Sequence, residues 1–249
     1  MKVAAIIQAR MGSTRFPGKV LELICGKTMI FHIIARVKEA RAIHEIVIAT
    51  TSSVRDDVLV KEIEKIKGVG VFRGSEDDVL DRYYRAAQKA GAEVIVRITS
   101  DCPLIDPVVI DTMIDIYLKK NTESTSVDYL SNTLERTFPR GLDTEVFSFA
   151  ALEKAFREAK EGYQREHVTP YIWENPEMFA LECFKSDKDF SFHRWTVDEV
   201  EDLHLVREIY KELYHEGRCF LLNEVLELFR RRPELLNINA HIKQKNLAS

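Results

Sequence analysis

Residues 3–21, "VAAIIQARMGSTRFPGKVL", run from an apolar stretch straight into a loop that carries three strong cations, Arg10, Arg15 and Lys19, and no acid. The opening "VAAIIQA" has the length and composition of a strand buried on both faces. In an open parallel sheet ligands bind beyond the carboxyl ends of the strands, so the loop after the first strand occupies the binding rim. Two common phosphate-binding patterns fail there. Five residues separate Gly12 from Gly18-Lys19, and Val20 stands where a P-loop needs a hydroxyl. The glycines do not make the dinucleotide fingerprint either, and the next strand ends in Thr50-Thr51 instead of a ribose-binding acid. Two readings remain. Gly12 and Ser13 are small enough to let backbone N–H groups and the cations wrap a triphosphate, or the three cations are simply solvated.

Outward from this loop, strands and helices alternate. Apolar residues recur at helical spacing in "TMIFHIIARVKEA" from Thr28, and "EIVIATT" reads as a second buried strand. Ser53 is expected to cap a helix with Asp56 and Asp57 in its first turn, closed by Gly68 before the strand "GVFRG". Ser75 and Asp78 approximate a capping box for "DDVLDRYYRAAQKA", ended by Gly91. "EVIVRIT" is a fourth strand, and Asp106-Pro107 starts another helix. Such alternation predicts an α/β fold with a parallel sheet covered on both faces.

From about residue 122 the rhythm changes. "VDYLSN" and "DTEVFSF", joined by a turn at "FPRG", are predicted as shorter, antiparallel strands. A helix at "ALEKAFREAKEG", a second around "EHVTPYIWENP", a strand pair near 180–197 and two final helices follow. No repeat or low-complexity linker interrupts residues 1–249, so one domain is expected, with a nucleotide-binding half at 1–121 and an acceptor half at 122–249.

The chain has 36 Lys+Arg against 40 Asp+Glu and a formal net charge of -4, a poor field for a polyanion, so nucleic acid is not an expected partner. No apolar run is long enough to span a membrane, and Met-Lys leads directly into the first strand without a signal-type region, so a cytoplasmic protein without membrane association is expected. Cys25, Cys102, Cys183 and Cys219 are widely spaced, which predicts reduced thiols rather than a zinc site or disulfides.

The loop resembles the signature Ala-Arg-x-x-Ser-x-Arg-x-Pro-x-Lys of the sugar nucleotidyltransferases, above all the cytidylyltransferases for acidic sugars of the CMP-KDO and acylneuraminate kind. Ala9, Arg10, Ser13, Arg15, Pro17 and Lys19 occupy its fixed positions. The SpsF-like branch of spore coat polysaccharide biosynthesis is the nearest in pattern, through "RITSDCPLIDP", "GLDTEVF", "REHVTPYI" and "RWTVDEVEDL". The resemblance implies a three-layer nucleotide-diphospho-sugar transferase (glycosyltransferase-A-like) fold, mostly parallel, with a small antiparallel lobe. It also implies transfer of CMP from CTP to a sugar with loss of pyrophosphate, Mg2+ as cofactor, and a homodimer formed through the second half.

Within that frame Arg10, Arg15 and Lys19 are the expected catalytic cations, with Ala9, Gly12 and Ser13 lining the nucleotide. Nucleotidyl transfer needs phosphate charge neutralised, which Mg2+ does when one or two carboxylates and phosphate oxygens hold it. Asp101 ends the fourth strand at the same rim, and the family likewise places the magnesium-binding acid before a Pro-Leu step. By the resemblance Asp198 is the second ligand; it could also simply cap the following helix. Arg73 and Ser75 are implied as contacts to cytosine or ribose. On the acceptor side, Asp143 and Glu145 alternate with apolar residues and so share one strand face, as sugar or metal contacts or as the polar side of an edge strand. Arg165, Glu166 and His167 cluster at a helix start, and Arg140 could clamp a carboxylate or phosphate. Two other classes fit less of this pattern: a glycosyltransferase consuming a nucleotide sugar, for which "SDC" offers only one acid of an Asp-x-Asp motif, and a nucleotide-binding partner without catalysis.

Overall fold

A computed structural model describes residues 1–123 and 126–244. The chain begins with β1 (Val3–Gln8), the small ribbon β2 (Leu23–Ile24) and β3 (Lys27–Thr28), then α1 (Met29–Lys38). β4 (Glu45–Thr51), α2 (Asp57–Ile63), β5 (Gly70–Gly74), α3 (Val79–Ala90), β6 (Val94–Thr99) and α4 (Pro107–Thr122) continue the alternation. The second half supplies β7 (Tyr129–Ser131), β8 (Glu145–Ser148), α5 (Phe149–Glu158), α6 (Gly162–His167), α7 (Pro170–Trp173), β9 (Leu181–Cys183), α8 (Val200–Leu213) and α9 (Leu222–Arg231).

Among the described residues seven strands form one sheet in the order β5-β4-β1-β6-β8-β7-β9. β5, β4, β1 and β6 are mutually parallel, whereas β8 runs against both β6 and β7. The fold is thus the mostly parallel α/β arrangement expected, with β2 and β3 as a separate antiparallel pair. β1 is central because both its faces are apolar. Val3, Ala5 and Ile7 join one core layer with α1, α4, α8 and α9, while Ala4 and Ile6 join the other with α3 and α5. Each buried Ile or Leu in those layers contributes roughly 1.5–3 kcal/mol.

Several local expectations are corrected. Ser53 caps only a 3-10 turn, Val54–Asp56, that precedes α2, and Asp56 turns inward. Asp78 is itself the N-cap of α3, accepting from the Asp81 amide at 2.9 Å, while Ser75 accepts from the Asp78 amide. The helix around "EHVTPYIWENP" is two helices, broken at Val168, whose φ of 76° no β-branched residue adopts readily. Of the strand pair near 180–197 only β9 forms, and it joins β7; Arg194 makes a lone parallel bridge with Arg140. The four cysteines are free thiols. No helix of the described residues is long and apolar enough to cross a membrane.

Candidate functional site

The loop after β1 is fixed before any ligand meets it. Asp56 is buried, and its Oδ1 accepts the Met11 amide at 2.8 Å while Oδ2 accepts from the Thr50 hydroxyl and from both the amide and the hydroxyl of Thr51. Burial pushes this carboxyl up, but the hydroxyl and amide donors outweigh it and hold its pKa below the ordinary value. Further along, the Gly18 amide closes onto the Met11 carbonyl at 3.0 Å, and Gly18 takes a left-handed φ of 76° that starts the 3-10 turn Lys19–Leu21. The Ser13 hydroxyl accepts from the Phe16 amide. Loop geometry thus depends on an acid 45 positions away.

That dependence has a measurable consequence. Asp56→Asn should lower stability near neutral pH by about 2–4 kcal/mol, because amide and hydroxyl donors lose a charged acceptor. A depressed folded pKa means the stabilisation is present above the unfolded value of 3.8 and is lost as pH falls through the lower folded one. Urea titrations should therefore show the gap between wild type and variant shrinking on acidification, and a constant gap would contradict this assignment.

Lys19 and Arg15 both turn toward Asp198. Lys19 Nζ lies 2.9 Å from Asp198 Oδ1, donates to the Val197 carbonyl at 2.6 Å, and lies 3.9 Å from Asp101 Oδ2. Arg15 reaches the same Asp198 Oδ1 at 2.9 Å. Burial pushes the Asp198 carboxyl up, yet the charges of Lys19, Arg15 and Arg194 together hold it below the ordinary carboxylate value. Asp198 is not the helix cap: Glu199 caps α8, and Asp202 returns the bond. The two acids are stapled at the backbone as well, since the Val197 amide donates to the Asp101 carbonyl at 2.8 Å. Arg10 is half-buried, and among the described residues no carboxylate pairs with it.

Two carboxylates meeting at one ammonium, beside a loop with two further cations, suit Mg2+, which takes its remaining oxygens from phosphates and water. The Lys19 ammonium already stands where a cation is wanted, and the residues fit that metal.

The nucleotide-side expectations fare unevenly. Ala9 is buried and its amide bonds to the Ala49 carbonyl, and Gly12 faces the side chains of Glu76 and Arg55. Arg73, expected on cytosine or ribose, is already engaged: its guanidinium donates to the carbonyls of Thr51 and Ser53 and pairs with Asp57 at 2.7 Å. These contacts brace β5 against the segment after β4. Ser75 likewise serves the first turn of α3.

On the acceptor side Arg165 has protein partners of its own. It pairs with Asp78 at 2.6 Å and donates to the carbonyls of Phe156 and Ala159, tying α6 to α3 and α5. Glu166 is exposed. His167 is half-buried, and burial lowers its pKa, with Arg97 acting in the same sense against Glu166. Its carbonyl accepts the Thr169 amide at 3.0 Å across the strained Val168, a tight γ-turn. Asp143 lies before β8 rather than in it and is held in a two-pronged pair with Arg136. Glu145 pairs with Arg97 through Oε1, and its buried Oε2 has no hydrogen-bond partner among the described residues. Arg140 is half-buried without a carboxylate ion pair among the described residues; burial and then Arg136 push its guanidinium pKa down, with Asp143 acting against them.

Three contributors escaped the sequence reading: Asp56, Arg194 and Asp202. Asp56 looked like an acid in a helix's first turn, and its real partners are amide and hydroxyl groups of other segments. Arg194 and Asp202 do carry a signal, since they lie four residues to either side of Asp198 in "RWTVDEVED".

A family model described as cytidylyltransferase matches residues 4–232. The spore coat polysaccharide biosynthesis protein SpsF of Bacillus subtilis is 33% identical over 236 residues, 92% of this chain and 94% of its own. A solved cytidylyltransferase from Leptospira borgpetersenii superposes with a TM-score of 0.90 at 34% identity, over 99% of this chain and 100% of that one. A CMP:2-keto-3-deoxy-manno-octonic acid synthetase complexed with CTP shares the fold, with a TM-score of 0.65 at 19% identity over 86% of this chain and 100% of that one.

Proposed function

We propose, from the premise that the chain belongs to the cytidylyltransferase family, that it transfers CMP from CTP to an acidic sugar destined for a surface polysaccharide. The sugar hydroxyl oxygen attacks the α-phosphorus of CTP. One P–O bond forms, the bond to the β-phosphate oxygen breaks, pyrophosphate leaves, and the hydroxyl proton passes to solvent or a nearby base. The observation that carries this reading is the convergence of Lys19 and Arg15 with Asp198 and Asp101 at one point of the sheet rim.

In this reading Arg10, Arg15 and Lys19 hold the triphosphate and take up charge as pyrophosphate departs; fixed cations of this kind contribute several kcal/mol to barrier lowering. Asp101 and Asp198 would hold Mg2+, which when bound neutralises phosphate charge and makes the α-phosphorus more electrophilic. Support for an acidic acceptor comes from Arg140, a half-buried cation without a carboxylate partner among the described residues, linked through its carbonyl to the Trp195 amide at 2.7 Å and so to the segment leading to Asp198. A sugar carboxylate would give it a two-oxygen partner. Glu145 and His167 are proposed to meet the sugar hydroxyls.

Incubation with CTP, Mg2+ and a panel of sugar acids and neutral sugars, with pyrophosphate release followed, tests the proposal. Release should require CTP in preference to ATP, GTP and UTP and an acidic acceptor in preference to a neutral one. Equal release with neutral sugars, or none with any triphosphate, would refute it.

A further inference from the structure

The family match ends at residue 232, yet the chain after it returns to the back of the proposed metal site. Asn239 is buried, and its Nδ2 donates to the Arg194 carbonyl at 2.9 Å and to Asp202 Oδ1 at 2.8 Å. Gln244 Oε1 accepts from Arg194 Nη1 at 2.6 Å.

Asp202, only 1% exposed, receives five hydrogen bonds: Arg194 Nε and Nη2, both at 2.9 Å, the backbone amides of Asp198 and Glu199, both at 3.0 Å, and Asn239. Helix capping accounts only for the Glu199 amide. The rest of the arrangement points at Asp198, because the same Arg194 Nη2 that touches Asp202 also donates to Asp198 Oδ2 at 3.1 Å. With Oδ2 occupied from behind, Asp198 presents Oδ1 to Lys19 and Arg15. A cavity of about 280 Å³, lined by His193, Trp195, Phe229 and Ala240 among others, lies beside Asn239.

We infer that the tail beyond residue 232 is a positioning element for the reaction: Asn239, acting through Asp202 and Arg194, sets the orientation of the Asp198 carboxylate. The inference rests on the reading of Asp198 as a group that holds the metal. Neighbours that orient a ligating carboxylate typically govern metal affinity or activity by about 10–100-fold.

The test compares full-length wild type with Asn239→Ala, Ile242→Ala and Asp198→Asn. Asn239→Ala should lower kcat about tenfold and raise the Mg2+ concentration for half-maximal rate about tenfold, with KM for CTP within about twofold. Its Mn2+ affinity, read by electron paramagnetic resonance on the nucleotide-free protein, should fall in parallel. Ile242→Ala trims a side chain that lines the neighbouring cavity, leaves Asn239 and Asp202 in place, and should leave the Mg2+ requirement unchanged. An equal shift in Ile242→Ala, or none in Asn239→Ala while Asp198→Asn loses Mn2+, would overturn the inference alone. Retention of Mn2+ by Asp198→Asn would overturn the metal reading beneath it, and the inference with it.

Discussion

Lys19→Met should depress the rate of CMP transfer by about 10²–10³-fold, equivalent to roughly 2.7–4 kcal/mol of transition-state stabilisation, while the protein remains folded. The side chain of Lys19 is almost wholly buried and its ammonium contacts Asp198, Asp101 and the Val197 carbonyl. Removing it takes one neighbour from each acid and, under the proposed function, one cation from the triphosphate. Stability should change little by comparison, because Asp198 keeps Arg15 at 2.9 Å and Arg194 at 3.1 Å, so no carboxylate is left buried alone. Lys19→Arg should rescue poorly, since a planar fork cannot occupy the compact ammonium's place between the Val197 carbonyl and Asp198 Oδ1. The measurement is kcat beside a thermal melt. A variant that turns over within tenfold of wild type would remove Lys19 from the chemistry, and a large drop in Tm would mean that its work is structural.

Gly141→Ala is expected to have the largest effect on stability. A Cβ at this position would lie 2.7 Å from the Thr196 amide nitrogen and 2.7 Å from the Trp195 carbonyl carbon. Both obstacles are backbone, so no side chain can swing away. The φ of +104° adds strain for any residue with a Cβ. Together, steric overlap and strain should cost roughly 3–5 kcal/mol, or about 10 °C in Tm for a chain of this size. Differential scanning calorimetry with a circular dichroism melt would check it. A loss under about 1 kcal/mol would mean that the loop at 141 moves away from 195–196 easily, against the close approach described here.

The sheet was legible because β1, β4 and β6 are short apolar runs with helices of regular apolar spacing between them, and such patterns depend on local sequence alone. The loop after β1 stood out for the opposite reason: three cations without an acid are conspicuous in an acidic chain. What escaped depended on contacts far apart in sequence. Asp56 reads as a helix-starting acid until its bond to Met11 is seen. Arg73 and Arg165 carry no local sign of the backbone carbonyls that accept from their guanidinium groups. Conversely, Arg140 resembles them in sequence and differs only in being left without such partners. The break at Val168 also had no local signal, since a β-branched residue is among the least expected to take a positive φ.

A strap of main-chain bonds from Asp101 through Val197 and Trp195 to Arg140 ties the segment after β6 to the loop at 140–141. Under the proposed function a change of sugar would not be accommodated by hinging these segments apart. New acceptors would have to be acquired by exchanging side chains around a fixed frame, so descendants with different sugars should keep the backbone at 140–141 and 195–198 and diverge at the residues that project from it.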